Sequence, residues 1–144
     1  MYLLLIFAHV LSALLLGSFL CLPIILRWLY TLTGNELRIG LKTTLAFTRV
    51  GHYALAFLLL TGGWMVIGYP PYPSVIWVVT SILLLVLIGA MIGIIHAKLK
   101  KVILTKQLEK LLLTYRTPLI CYSWFTFLTI VAALFLMTNR HLFF

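Results

Sequence analysis

Four long apolar runs divide this chain and set the limits on its fold. They occupy Tyr2–Leu26, Leu45–Ile67, Val75–Ile95 and Pro118–Met137. Each is long enough to cross about 30 Å of bilayer hydrocarbon, which takes about 20 helical residues. Because lipid offers the backbone no hydrogen-bond partners, continuous apolar runs of this length must be helices. The sequence therefore predicts an all-α bundle of four transmembrane helices.

Composition supports the same fold class and excludes a soluble domain. The chain is 64% hydrophobic and 9% charged, whereas soluble domains are about 45–50% apolar and about 25% charged. A domain of this size has too small an interior to hide so much apolar surface. The first run has no basic residue before Arg27 and is longer than the core of a signal peptide. We therefore expect one integral membrane domain over residues 1–144, with the first run retained.

The basic residues are concentrated in two of the connections between runs. Ten of the eleven follow the first run or the third run: Arg27, Arg38, Lys42, Arg49, Lys98, Lys100, Lys101, Lys106, Lys110 and Arg116. The positive-inside rule then predicts both termini on the non-cytoplasmic side, and we expect the bacterial cytoplasmic (inner) membrane as the location. Anionic lipid headgroups, rather than nucleic acid, account for the net charge of +9.

Local patterns predict the shape of the connections. Asn35 can cap a helix that begins at Glu36 and continues into the second span. The segment Gly68–Ser74 has three prolines and predicts a short rigid turn. The segment Ala97–Arg116 predicts a cytoplasmic amphipathic helical extension between helices 3 and 4. Its apolar stripe would consist of Leu104, Leu108, Leu111, Leu112 and Tyr115.

Small residues recur on one face of each of the first two spans. The first face consists of His9, Ala13, Gly17 and Cys21, and the second consists of His52, Ala56, Leu59 and Gly63. Small side chains at this spacing let helices approach closely in lipid. We expect these two spans to pack through Gly17 and Gly63. The two cysteines form no metal-binding spacing and are expected to be structural thiols.

Histidines carry the chain's most unusual chemistry. His52 shares a helix face with Arg49, and its predicted depth lies within about 10 Å of that of His96. His9 lies about 15 Å away in depth, so it is a poor partner for His52 on one metal. Two histidines from different helices are a common pair of ligands for b-type haem, and an arginine suits a propionate. The structural alternative is a set of histidines bonded to carbonyls, with Arg49 reaching the headgroups.

Carboxylate chemistry is absent from the predicted membrane interior. The sequence contains no aspartate, and its two glutamates, Glu36 and Glu109, lie outside the predicted spans. A proton relay through intramembrane carboxylates and a Ser-His-Asp triad are therefore excluded.

Two stretches resemble a known group of membrane proteins. "FAHVLSALLLGSFLCLPIIL" has an early histidine, a central glycine and a Leu-Pro, and "GHYALAFLLLTGGWMVIG" closes in Thr-Gly-Gly-Trp. Both are similar to the superfamily of small four-helix bacterial membrane proteins around the CopD copper-resistance domain and the HemJ-type protoporphyrinogen oxidases. The resemblance covers mainly the first two spans. It implies haem or copper chemistry, with His9 at the position of the family's first-span histidine.

Three functional hypotheses follow. The first is a haem-binding or haem-handling redox protein. Its haem b would be held by His52, His96 and Arg49, with His9 as the further candidate residue. Its partner would be quinone, or a respiratory or haem-biosynthesis protein. The second is a non-enzymatic accessory or assembly subunit. The third is a copper-transport module in which Met65 or Met91 joins the histidines as a soft ligand. Membrane lipids are expected partners in each case, and a homo-oligomer is compatible with all three.

Overall fold

The chain is helical through the part that the computed structural model describes, which is residues 1–68, 73–139 and 141. The helices are α1 (Tyr2–Gly17), α2 (Leu22–Leu29), α3 (Gly34–Gly68), α4 (Val75–Leu104), α5 (Leu108–Thr114) and α6 (Arg116–Thr138), with a 3₁₀ turn at Ser18–Cys21 between α1 and α2. Four stretches are long and apolar enough to cross a membrane: Tyr2–Leu29, α3, α4 and α6. This confirms the all-α prediction with four membrane-spanning candidates. Most of the predicted turn at Gly68–Ser74 lies outside the described residues.

The helices close into a four-membered bundle. Helix α3 packs against α1 on one side and α4 on the other, α4 packs against α6, and α6 returns to α2. Fully buried aliphatic side chains such as Leu41, Ile92 and Leu119 fill the centre. Large apolar side chains such as Leu60 and Ile67 lie on the outside. An apolar exterior of this kind is suited to lipid.

The first span is interrupted where Pro23 enters the first turn of α2. Proline has no backbone N–H and limits the conformation of the residue before it, so the tighter 3₁₀ turn leads into it. The turn places Phe19 in the core, where its ring stacks on Phe47 with centroids 4.3 Å apart. A Cβ atom on Gly51 of α3 would overlap the Phe19 ring. Gly51 is therefore the residue that lets this aromatic ring reach the core.

The expected packing through Gly17 and Gly63 is wrong. A Cβ atom added to either glycine would meet nothing within 4 Å. The buried residues of α1 are instead Ser12 and Leu16, which come one position before Ala13 and Gly17 and so lie about 100° around the helix from them. The 3₁₀ turn then shifts the phase again, which leaves Cys21 exposed.

Helix α3 begins at Gly34, so Asn35 already lies within the helix instead of capping it before Glu36. Gly34 has φ +59°, a left-handed conformation that glycine adopts without strain. Its N–H donates to Oε1 of Glu109 at 3.1 Å. This contact brings the start of α3 against α5. We call this part of the molecule, where the α2–α3 and α4–α5 connections meet, the basic end.

The segment Ala97–Arg116 is not the single amphipathic helix that its periodicity predicts. Helix α4 continues to Leu104, Thr105 is extended with φ −91° and ψ 144°, and α5 begins at Leu108. The Thr105 hydroxyl donates to the carbonyl of Lys101, a local bond that competes with helix continuation. Leu104 is 77% exposed, whereas Leu112 is buried. The break therefore divides the predicted stripe between two helices.

Candidate functional site

Thr48 of α3 joins two of the histidines singled out from the sequence. Its side chain is fully buried. His52, one turn further along α3, places Nδ1 2.9 Å from the Thr48 carbonyl oxygen. His96 of α4 places Nδ1 2.8 Å from the Thr48 hydroxyl. One residue thus fixes an imidazole on its own helix and an imidazole on the neighbouring helix.

The hydrogen bonds determine which nitrogen of each ring carries the proton. A carbonyl oxygen only accepts, so His52 Nδ1–H donates to Thr48. The Thr48 hydroxyl gives its single proton to the carbonyl of Leu45 at 2.9 Å and therefore accepts from His96 Nδ1–H. In the neutral state both rings then keep a lone pair on Nε2. That is the nitrogen a metal or a proton donor would use.

The two imidazole rings are close neighbours. Their centroids lie 6.0 Å apart and their planes are inclined by 77°. Two imidazole nitrogens that share a metal lie about 4 Å apart, and their ring centroids lie about 1 Å further back on each side. The observed centroid separation therefore suits one metal atom shared by two imidazoles.

Gly93 limits what else can enter between the helices. It lies one turn before His96 on α4, and an added Cβ atom would lie 3.7 Å from Nε2 of His52. A porphyrin held by both histidines extends several ångströms around its iron in every in-plane direction. It would need α3 and α4 to separate at Gly93. The arrangement as it stands leaves no room for a macrocycle between the two rings.

Arg49 and His52 lie on the outer flank of α3. Both are exposed, whereas His96 is half-buried and Thr48 is closed off completely. Arg49 comes three residues before His52, which places it on the same face one turn nearer the basic end. The histidine pair is therefore reached from the side of the bundle, with a cation beside the approach.

His9 is not part of this pair. Its Nδ1 lies 2.9 Å from the hydroxyl of Thr61, which itself donates to the carbonyl of Phe57 at 2.7 Å. Thr61 follows Thr48 by thirteen residues, a rise of about 20 Å along α3. The structure brings His52 and His96 together and places His9 near the opposite end of α3.

No group of three or more His, Cys, Asp or Glu side chains is gathered within the described residues. Among the described residues, a metal held at the histidine pair would therefore have the two imidazoles as its ligands of those types. Sequence reasoning missed Thr48, although it lies four residues before His52 on the same helix face. Because mid-helix threonines usually bond their own backbone, that spacing alone did not mark Thr48 as a partner for His96.

Comparison with known proteins adds no relatives to this description. No family model, no curated protein and no solved structure matches the chain.

Proposed function

We propose that this chain is an integral membrane protein that binds monovalent copper between His52 and His96. The observation that carries the proposal is the Thr48 arrangement, which holds both Nδ1–H groups and so leaves a lone pair on each Nε2. Metal-binding histidines typically donate the second ring N–H to a carbonyl or another acceptor, which fixes the ring for the metal. Thr48 supplies both kinds of acceptor.

Charge favours a monovalent ion over a divalent one. Two neutral imidazoles leave the charge of the ion uncompensated, and a net charge near hydrocarbon is costly. The chain has only two carboxylates, and one of them, Glu109, is already bonded at the basic end. Imidazole is a suitable ligand for copper, and copper(I) accepts two such ligands in a nearly linear arrangement. A divalent ion would need ligands that this site does not offer.

The proposal also includes the orientation of the bundle in the membrane and the role of the copper site. With the basic end in the cytoplasm of a bacterial inner membrane, the pair lies in the inner leaflet and opens sideways. Both termini then face away from the cytoplasm. A two-ligand site with lateral access suits the transfer of a metal ion to or from a partner, because few bonds need to be exchanged.

Copper loading of the purified protein tests the proposal. The full chain in detergent is titrated with copper(I) under reducing conditions against a chromogenic copper(I) chelator. We expect one copper per chain, lost in His52→Ala and in His96→Ala. His9→Ala is the matched control, because it removes a histidine that bonds Thr61 of α3, about 20 Å from the pair. Equal copper binding by wild type and His52→Ala would contradict the site.

Haem b is the second candidate, and Arg49 is the observation that favours it. An exposed cation one turn from His52 suits a haem propionate. This reading requires α3 and α4 to separate at Gly93. Protein expressed with ample haem should then show a visible haem spectrum that is lost in His52→Ala, and Arg49→Ala should shift its potential. A colourless protein that takes up copper would exclude haem and leave the copper proposal in place.

A further inference from the structure

The basic end contains a cleft that is distinct from the histidine pair. It has a volume of about 700 Å³ and lies where the start of α3 meets the α4–α5 connection and α5. Its polar lining comes mainly from Asn35, Arg38, Lys106, Gln107 and Lys110. Arg38 precedes Thr48 by ten residues, so the cleft lies about 15 Å along α3 from Thr48.

The cleft is positively charged and rich in hydrogen-bond donors. Arg38, Lys106 and Lys110 are exposed cations that converge on it from two different parts of the chain. The one carboxylate in its lining, Glu109, accepts the N–H of Gly34, so part of its bonding capacity is already used. Arginine and lysine side chains only donate, and the amides of Asn35 and Gln107 add further donors. The complementary ligand is an anion with several acceptor oxygens.

The depth of the cleft indicates which anion it meets. Arg38 lies seven residues before Leu45, the predicted start of the apolar part of α3, which corresponds to about 10 Å of helix rise. The headgroup layer begins at that boundary and is about 5–8 Å thick, so Arg38 lies at its aqueous edge and the long arginine side chain can reach into it. Phosphate groups of lipids are concentrated there, and soluble phosphate compounds reach the same place from water.

We propose that this cleft is a binding site for a phosphate group, contacted by Arg38, Lys106 and Lys110. The phosphate belongs either to an anionic lipid headgroup or to a soluble phosphate compound, since both present the same oxygens. Binding would join α3 to the α4–α5 connection at a point where Gly34 and Glu109 already do so. The site does not depend on copper or haem, so it can be tested on metal-free protein.

Thermal unfolding of the full chain in a neutral detergent tests the site with defined probes. In one arm the added lipid is phosphatidylglycerol, with phosphatidylcholine as the zwitterionic comparison. In the other arm the probe is sodium pyrophosphate, with sodium chloride at matched ionic strength. Stabilisation by phosphatidylglycerol alone assigns the site to a lipid. Stabilisation by pyrophosphate assigns it to a soluble phosphate compound. No specific stabilisation in either arm overturns the proposal.

Two charge-matched variants separate the cleft from general attraction to anions. The cleft variant combines Arg38→Gln, Lys106→Gln and Lys110→Gln. The control combines Lys42→Gln, Lys100→Gln and Lys101→Gln, which removes the same charge from exposed residues of α3 and α4 outside the cleft lining. We expect the cleft variant to bind the effective probe at least about tenfold more weakly than the control, as the loss of charged hydrogen bonds implies. Equal weakening would overturn the site, and Lys106→Gln alone provides a milder variant if the triple substitution does not fold.

Discussion

Replacing Gly51 by alanine should destabilise the bundle, although alanine is the better helix former. An ideal Cβ atom on Gly51 would overlap Cζ of Phe19 and lie 2.7 and 2.9 Å from Cε2 and Cε1. Comfortable carbon contacts are about 3.5–4.0 Å long, so the ring would have to move by about 1 Å. Phe19 is fully buried and stacked on Phe47, which leaves it little room to move.

The expected change in the free energy of unfolding is the difference between two opposing effects of the new methyl group. Alanine in place of glycine inside a helix gains about 1 kcal/mol. Overpacking a well-packed core costs about 1–3 kcal/mol, and the rigid Phe19–Phe47 stack places Gly51 toward the upper end of that range. We therefore expect a net loss of about 1–2 kcal/mol. The melting temperature should fall by about 3–8 °C.

Thermal unfolding by circular dichroism in a single detergent is the assay. Gly17→Ala is the matched control, because its Cβ atom would meet nothing within 4 Å and only the helix gain remains. The double variant Gly51→Ala with Phe19→Leu should lose less than the two single changes added together, because the smaller side chain leaves space for the new methyl group. If Gly51→Ala melted at or above the wild-type temperature, the packing of Phe19 against Gly51 would be refuted.

Three further outcomes are expected. Thr48→Val should weaken copper binding about 10–100-fold whereas Thr48→Ser should not, because only the valine removes the acceptor of His96; equal affinities in the chelator competition would contradict this. Burial raises the pKa of Tyr30 from 10.0 to about 12, and the charge of Arg116 opposes this shift. Because Tyr30 ionises at lower pH in the unfolded chain, its contribution to folding stability is full below about pH 10 and is lost as the pH rises toward 12. The Tyr30 hydroxyl is buried without a partner among the described residues, so Tyr30→Phe should melt at a temperature at least as high as wild type at neutral pH. Its melting temperature should also fall less than that of wild type between pH 10 and 12, and a larger fall would contradict the assignment. A reporter enzyme fused to the C-terminus should act on the non-cytoplasmic side, and a cytoplasmic signal would reverse the proposed orientation.

The features predicted successfully from sequence are those set by one segment at a time. The four membrane-spanning candidates follow from run length and apolarity, which depend little on neighbouring helices. The similar depth of His52 and His96 follows from their positions along two helices, because a rigid helix converts residue number into distance.

The remaining features depend on contacts between segments. The break at Thr105 accompanies the contact between Glu109 and Gly34, which lie 75 residues apart in sequence. The importance of Gly51 over Gly17 depends on where the 3₁₀ turn directs Phe19. Spacing within one helix contains no information about which face its neighbour will occupy.

The unequal lengths of the spanning helices determine which of them senses bilayer thickness. Helix α3 has 35 residues and is about 52 Å long, so it exceeds the thickness of the hydrocarbon core by about 20 Å. In a thicker bilayer, at least one end of α3 would therefore still extend beyond the hydrocarbon. Helix α6 has 23 residues and is about 35 Å long, with Arg116 at its first position. A thicker bilayer would draw that arginine toward hydrocarbon or force the bilayer to thin around it. Hydrophobic matching of this protein is therefore governed by α6, the shortest of its four spanning segments, and not by the long helix that holds Thr48 and Thr61.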